Sequence, residues 1–382
     1  MSSIYYDHAA TTPMHEDVIR AYVEAASAGP GNASSLHALG RAARSRITAA
    51  RDTLARCLGC EASELVFTSG GTESDNAALF GAAWAQRDKG RTGIVTSAIE
   101  HHAVLHACRQ LEKQGFKLTV LPVDGQGRVS IADAKAAIDD TTAVVSIMAG
   151  NNETGTLQPV AEIGEWARLH KAAMHVDAVQ AFGYLPIDLS VMPIDLLSLS
   201  AHKINGPQGV GLLYVRKGTP YQPLLHGGSQ ERKRRAGTEN VAGIAAFAKA
   251  AELAVADRDG RVRHVETIRD RFVSELTRLI GKDAFVVNAE AAARLPHIAN
   301  VSFAGIRSEN MLMNLDLSGV SASGGSACTS GSLQPSHVLQ AMGLSPEIVA
   351  SAVRFSFGLG NTSEEAEKTA QIIATIWARL RN

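Results

Sequence analysis

A chain of 382 residues is longer than one hydrophobic core usually fills, so a subunit of two domains is expected. Hydrophobic residues make up 45% and charged residues 20%, and a net charge of −1 leaves no electrostatic footprint for nucleic acid or an anionic membrane. Residues 1–7 lack the basic start and apolar run of a signal peptide, no stretch is long and apolar enough to span a bilayer, and Cys57, Cys60, Cys108 and Cys328 are too few for a disulfide scaffold, which together predict a cytoplasmic protein.

In chain order, the first clear element is a helix over Leu36–Leu58. Its apolar residues Leu36, Leu39, Ala43, Ile47, Leu54 and Leu58 fall on one face, and Arg41, Arg44, Arg51 and Asp52 occupy the others. Short β-rich runs follow at Leu65–Thr68, Gly93–Ser97, Leu118–Val123, Ala143–Met148, Met174–Val176, Asp195–Leu199 and Val210–Val215, mostly separated by helical segments. That alternation predicts an α/β fold, a largely parallel sheet with helices on both faces, whose ligands gather where strands end. Beyond about Val255 the pattern changes to a long helix over Arg261–Ile280, strands near Ile298–Phe303 and Val353–Phe357, and a closing helix from Ser363, which reads as a smaller α+β domain. The basic run Arg232–Arg235 fits a solvated surface feature and an anion-facing loop equally well.

Four segments carry chemistry. Lys203 directly follows an apolar strand and stands beside Ser200 and His202; a partly buried amine suits a Schiff base, and its two neighbours can hydrogen-bond a phosphate. Asp177 ends the run Met174–Val176, where a carboxylate could pair with the ring nitrogen of pyridoxal phosphate or simply cap a helix. Residues Phe67–Asn76 read as a strand, a glycine turn at Gly70 and Gly71, and a helix start whose N–H groups and Thr72 hydroxyl could hold phosphate. Each has a structural alternative, but phosphate cup, pyridinium partner and Schiff-base lysine are separate demands of one cofactor. The fourth segment, Val320–Ser332, surrounds Cys328 with small residues, which predicts a mobile loop with an exposed thiol. Cys57 and Cys60 have the spacing of a redox pair but lie where small apolar side chains would pack as well, and Cys108 is expected in the core.

With these segments in view, the sequence resembles the NifS/IscS-type cysteine desulfurases, in the class V aminotransferase group of fold type I pyridoxal-phosphate enzymes. The resemblance runs from Tyr6–Thr12 through Gly31–His37, the three cofactor segments, Gly237–Asn240 and the Cys328 loop to Arg354–Gly358. It implies a large domain over residues 14–255 with a mainly parallel seven-stranded sheet, and a small domain from residues 1–13 and 256–382 that carries the cysteine loop. By this resemblance Lys203 binds pyridoxal 5′-phosphate covalently, Asp177 pairs with its ring nitrogen and Gln180 bonds its phenolic oxygen. Gly71, Thr72, Ser200 and His202 hold the phosphate, with Thr238 supplied by the neighbouring subunit of a homodimer. His101 stacks on the ring and moves protons. Asn152 lies against the cofactor and, with Arg354, holds the substrate carboxylate. Gly324 and Ala33 depart from the family's usual Ser and Pro without touching these roles.

The activity implied is conversion of L-cysteine to L-alanine, with Lys203 removing the α-proton and Cys328, as thiolate, taking the sulfur as a persulfide. Free thiols with a pKa of about 8.5 are only a few per cent ionised at neutral pH, so a proton acceptor such as His101 or the substrate amine is expected to help. The persulfide would pass to an acceptor such as an iron–sulfur scaffold. No metal site is expected, Cys328 touching an iron–sulfur cluster only in transfer, and neither nucleic acid nor membrane is an expected partner. A selenocysteine lyase shares nearly all these residues, a class V aminotransferase would not need Cys328, and a sulfur-relay scaffold would need neither Lys203 nor Asp177.

Overall fold

The computed structural model describes residues 4–325 and 335–381, and among them the strands form three sheets. In chain order the strands are β1 (Ile4–Tyr5), β2 (Leu65–Thr68), β3 (Gly93–Ser97), β4 (Lys117–Leu121), β5 (Thr142–Ser146), β6 (Ala173–Asp177), β7 (Leu196–Ser200), β8 (Gly211–Val215), β9 (Phe285–Val287), β10 (Ile298–Phe303), β11 (Val320–Ser321) and β12 (Ala352–Ser356). The main sheet has the order β2-β8-β7-β6-β5-β3-β4. Apart from β4, these strands are buried along their whole length, as continuous apolar runs covered on both faces must be. β7, β6, β5, β3 and β4 run parallel, and β8 runs antiparallel to both its neighbours. Length decides that reversal: only residues 201–210 join β7 to β8, fewer than a parallel crossover needs.

The helix Ala38–Leu58 ends at Gly59, whose φ of 66° closes it in the left-handed conformation that glycine tolerates. Near that end Cys57 and Cys60 pack half-buried against the core, and burial raises both thiols, Cys60 to about 12, the opposite of what a redox pair needs. Cys108 is fully buried.

In the second sheet β10 lies between β9 and β12, antiparallel to both, under the helices Arg258–Ile280 and Ser363–Arg381. The N-terminal residues lace this part to the main sheet. β1 pairs parallel with β11, Tyr6 packs against Phe272 and Phe357, and Thr12 N–H donates to the His202 carbonyl at 2.9 Å. This path carries the Ala9 and Ala10 carbonyls to the ends of β6 and β7. One apolar cluster, with Phe67 and Val176 from the main sheet and Phe272 and Val301 from the other, joins them. No helix among the described residues is long and apolar enough to cross a membrane.

Candidate active site

A cavity of about 350 Å³ opens where β6 and β7 end, lined by Asp177, Lys203 and Arg354 among others. Asp177 is the last residue of β6, and its Oδ1 accepts from Val179 N–H at 2.9 Å. Burial pushes its carboxyl upward, while that N–H and the Lys203 charge favour the ionised form. Beneath it lies a buried bed of polar groups. His175 bonds Ser146 Oγ at 2.8 Å through Nδ1 and Ser198 Oγ at 2.9 Å through Nε2, and burial lowers its pKa to about 3, so the imidazole is neutral. Asp75, 3.6 Å from His175 Nε2, is raised by burial and then by Asp177. Glu100 Oε1 accepts from Ser97 Oγ at 2.6 Å and Met148 N–H at 3.0 Å, and burial pushes its carboxyl up to about 8. Burial thus shifts both Asp75 and Glu100 towards their protonated forms, while Asp177 is the member whose ionised form a neighbouring cation favours.

Lys203 closes a single 3-10 turn, Ala201–Lys203, that follows β7. Its Nζ donates to the carbonyls of Ala9 at 2.5 Å and Ala10 at 2.7 Å, and Gln180 Nε2 donates to the same Ala9 carbonyl at 2.8 Å. On the other side begins the helix Gly71–Arg87, whose N-cap residue Gly70 offers no side-chain acceptor. Thr72, Ser200 and His202 stand around this uncapped end. A Cβ at Gly71 would come within 2.9 Å of Val179 Cγ2, so only a residue without a side chain permits this close approach. His202 Nδ1 bonds Thr11 Oγ1 at 3.1 Å, and burial, then Lys203, lowers its pKa to about 4. His101 caps the helix His102–Lys113, its Nδ1 accepting from Ala103 N–H at 3.2 Å. Burial first, then Lys203 and the neighbouring histidines, lower its pKa to about 4.

At the opposite wall Arg354, on β12, is buried. Its Nη1 donates to the Asn152 carbonyl and its Nη2 to Asp7 Oδ1, each at 2.9 Å, while its buried Nε has no hydrogen-bond partner among the described residues. Glu153 accepts from Ser336 Oγ at 2.5 Å, and burial pushes its carboxyl up to about 7.

Lys203, His101, Gly71, Thr72, Asn152, Asp177, Gln180, Ser200, His202 and Arg354 thus all line one cavity. Thr238 is exposed and lies outside it, and Cys328 falls outside the described residues. The basic run divides: Arg232 and Lys233 are exposed, as a solvated surface feature would be, while Arg234 and Arg235 are half-buried. Arg235 binds Glu73 through Nε at 2.8 Å and Nη2 at 3.2 Å, while Arg232 and Arg234 donate to the Ala62 and Ser63 carbonyls. Sequence reasoning missed Asp75, Glu100, Glu153, His175 and Asp7. The acidic residues preceding His101 and following Asn152 were the available signal.

The cavity fits pyridoxal phosphate on three observations: a buried carboxylate at the end of β6, an amine beside it, and a helix start with no side-chain cap and hydroxyls around it. Among the described residues no group of three or more His, Cys, Asp or Glu could hold a metal ion.

The family described as aminotransferase class-V matches residues 4–369. A protein of Methanosarcina thermophila named cysteine desulfurase IscS is 48% identical over 380 residues, covering 100% of this chain and 93% of the relative. Among solved structures, a NifS-like protein superimposes with a TM-score of 0.92 at 37% identity, covering 99% of this chain and 100% of the other. A structure of SspA in complex with cysteine has a TM-score of 0.81 at 35% identity, covering 93% and 99%.

Proposed function

The chain belongs to the class-V aminotransferase family, and we propose that within it the protein is a pyridoxal-phosphate-dependent cysteine desulfurase, converting L-cysteine to L-alanine and passing the sulfur on as a persulfide. The observation that carries the cofactor reading is the meeting of Asp177, Lys203 and the uncapped helix start around one cavity.

Lys203 would hold pyridoxal 5′-phosphate covalently, Asp177 would face its ring nitrogen and Gln180 its phenolic oxygen. Gly71, Thr72, Ser200 and His202 would hold its phosphate, and His101 and Asn152 would lie against it. When bound, the cofactor supplies an electron sink for negative charge at the substrate α-carbon. The Arg354 guanidinium binds the substrate carboxylate, with Asn152 beside it. Freed when the substrate amine displaces it, Lys203 Nζ would take the α-proton; His101, neutral because burial lowers it to about 4, is a weak base, so the substrate amine is the stronger acceptor for the Cys328 thiol proton. Cys328 Sγ attacks the substrate sulfur: an S–S bond forms, the Cβ–S bond breaks, and the carbon skeleton, after protonation, leaves as alanine. The persulfide then passes to an acceptor protein such as an iron–sulfur scaffold.

Thr238, exposed in its own subunit, suits a phosphate contact across a homodimer, with residues 14–255 as the cofactor domain and residues 1–13 and 256–382 as the domain that carries Cys328. Sparse cysteines and near-neutral charge fit the cytoplasm. The test of attachment is borohydride reduction followed by peptide mass spectrometry. The adduct is expected on Lys203 and absent from Lys203→Ala; an adduct on another lysine refutes the assignment.

A further inference from the structure

The outer edge of the main sheet carries a device that none of the steps above uses. Among the described residues β2 pairs with β8 on one side only, so no strand covers its other side. An open strand edge usually meets water or another strand. Here it meets a buried ion pair. Arg51 Nη1 donates to the Leu65 carbonyl at 2.7 Å, and Glu231 Oε2 accepts from Phe67 N–H at 2.9 Å. The two side chains bind each other through two contacts of 2.8 and 2.6 Å, and the guanidinium lies 4.6 Å from the centre of the Phe67 ring. The pair gives β2 one donor and one acceptor where a neighbouring strand would supply them.

The strand so fixed runs straight into the turn Ser69–Thr72, and a second contact fastens that turn. Glu73 accepts from Ser69 N–H at 2.8 Å and binds Arg235, four residues beyond Glu231. Between them Glu231, Arg232 and Lys233 have φ of 45°, 56° and 66°, a left-handed path that three successive residues with side chains keep only where contacts hold them. Neither Arg51 nor Glu231 lines the cavity.

We propose that Arg51 and Glu231 are positioning residues for the phosphate cup: a buried ion pair stands in for a missing strand and sets the turn that receives the cofactor's phosphate. This rests on the cofactor reading above and deepens it, tracing phosphate affinity to a pair outside the site.

The test titrates the cofactor-free full chain with pyridoxal 5′-phosphate and, separately, with pyridoxal, which lacks the phosphate. The variant Arg51→Met/Glu231→Leu removes both charges at similar volume and leaves no uncompensated buried ion; Glu231→Gln is the conservative second variant. The dissociation constant for pyridoxal 5′-phosphate is expected to rise about tenfold in the double variant and about threefold in Glu231→Gln, the scale of one or two lost positioning contacts. Affinity for pyridoxal should stay within about twofold, the scale of changes at groups that touch nothing lost. Faster amide exchange at Phe67 should accompany the loss. Parallel weakening for both ligands, or unchanged pyridoxal 5′-phosphate affinity in a folded variant, overturns the proposal; if the double variant does not fold, Glu231→Gln decides by the same criterion. A wild-type chain that binds the two ligands equally overturns the cofactor reading itself, and the proposal with it.

Discussion

At the floor of the cavity and just beneath it Asp75, Asp177, Glu100 and His175 are all buried, and short bonds to Ser97, Ser146, Ser198 and two backbone N–H groups hold three of them in place. At the phosphate end Thr72 is exposed, Gly71 and His202 are half-buried, and the helix start has no side-chain cap. Burial therefore shifts the carboxyls at the floor upward before any ligand arrives, whereas the proposed phosphate end is open to what binds there. It follows that substitutions at the floor should change chemistry or pH response, and substitutions at the phosphate end should change affinity.

The sharpest way to break this division is Asp177→Asn, which keeps an acceptor for Val179 N–H but removes the charge. Turnover per bound cofactor should fall about 10²- to 10³-fold, the range for removing one electrostatic partner from an active site. Borohydride trapping on Lys203 should persist. A loss of cofactor binding with turnover per bound cofactor intact would reverse the roles assigned to the two ends.

A smaller effect is expected at the other end. Thr72→Ala should weaken cofactor binding about fivefold, as loss of one hydrogen bond would, with turnover at saturating cofactor falling less than affinity. Titration of the cofactor-free protein, followed by assays at saturation, separates the two.

A third effect is on stability. Burial raises Glu100 from its ordinary 4.5 to about 8, so the folded state holds a proton that the unfolded chain has lost over that interval. Its contribution is complete below pH 4.5 and fades as pH rises through 8, with a slope of about 1.4 kcal/mol per pH unit for one proton. Glu100→Gln cannot titrate, so its urea midpoint should fall less than that of the wild type between pH 6 and pH 9. An equal fall in both proteins would show that Glu100 is not a proton-holding member of the floor.

Much of this architecture was legible in the sequence, because apolar β-runs ending in polar residues mark strands and the places where ligands gather. The boundaries that moved did so for a physical reason. The run Ala143–Met148 continues past β5, yet Ile147 N–H still donates to the His175 carbonyl at 3.1 Å and Ala149 N–H to that of Asp177 at 2.8 Å, so the chain follows β6 beyond the assigned strand. The residues gathered around the cavity were readable because each stands next to a strand end or a glycine turn. Asp75, Glu100 and Glu153 were not, since a buried carboxyl looks like a surface one until tertiary packing supplies its partners. The same holds for Glu231, just before the basic run, whose meaning depends on Arg51, far away in sequence.

The central claim is that sulfur, and not an amino group, leaves the substrate on this chain, with Cys328 as its first acceptor. The most direct measurement is alanine and enzyme-bound persulfide formed from L-cysteine as sole substrate by the wild type and by Cys328→Ser. A serine hydroxyl is scarcely ionised at neutral pH and is a poor nucleophile towards sulfur. Wild type should form both products, and Cys328→Ser should keep the cofactor on Lys203, lose alanine formation by orders of magnitude and trap no persulfide. Unchanged alanine formation by Cys328→Ser would contradict the account.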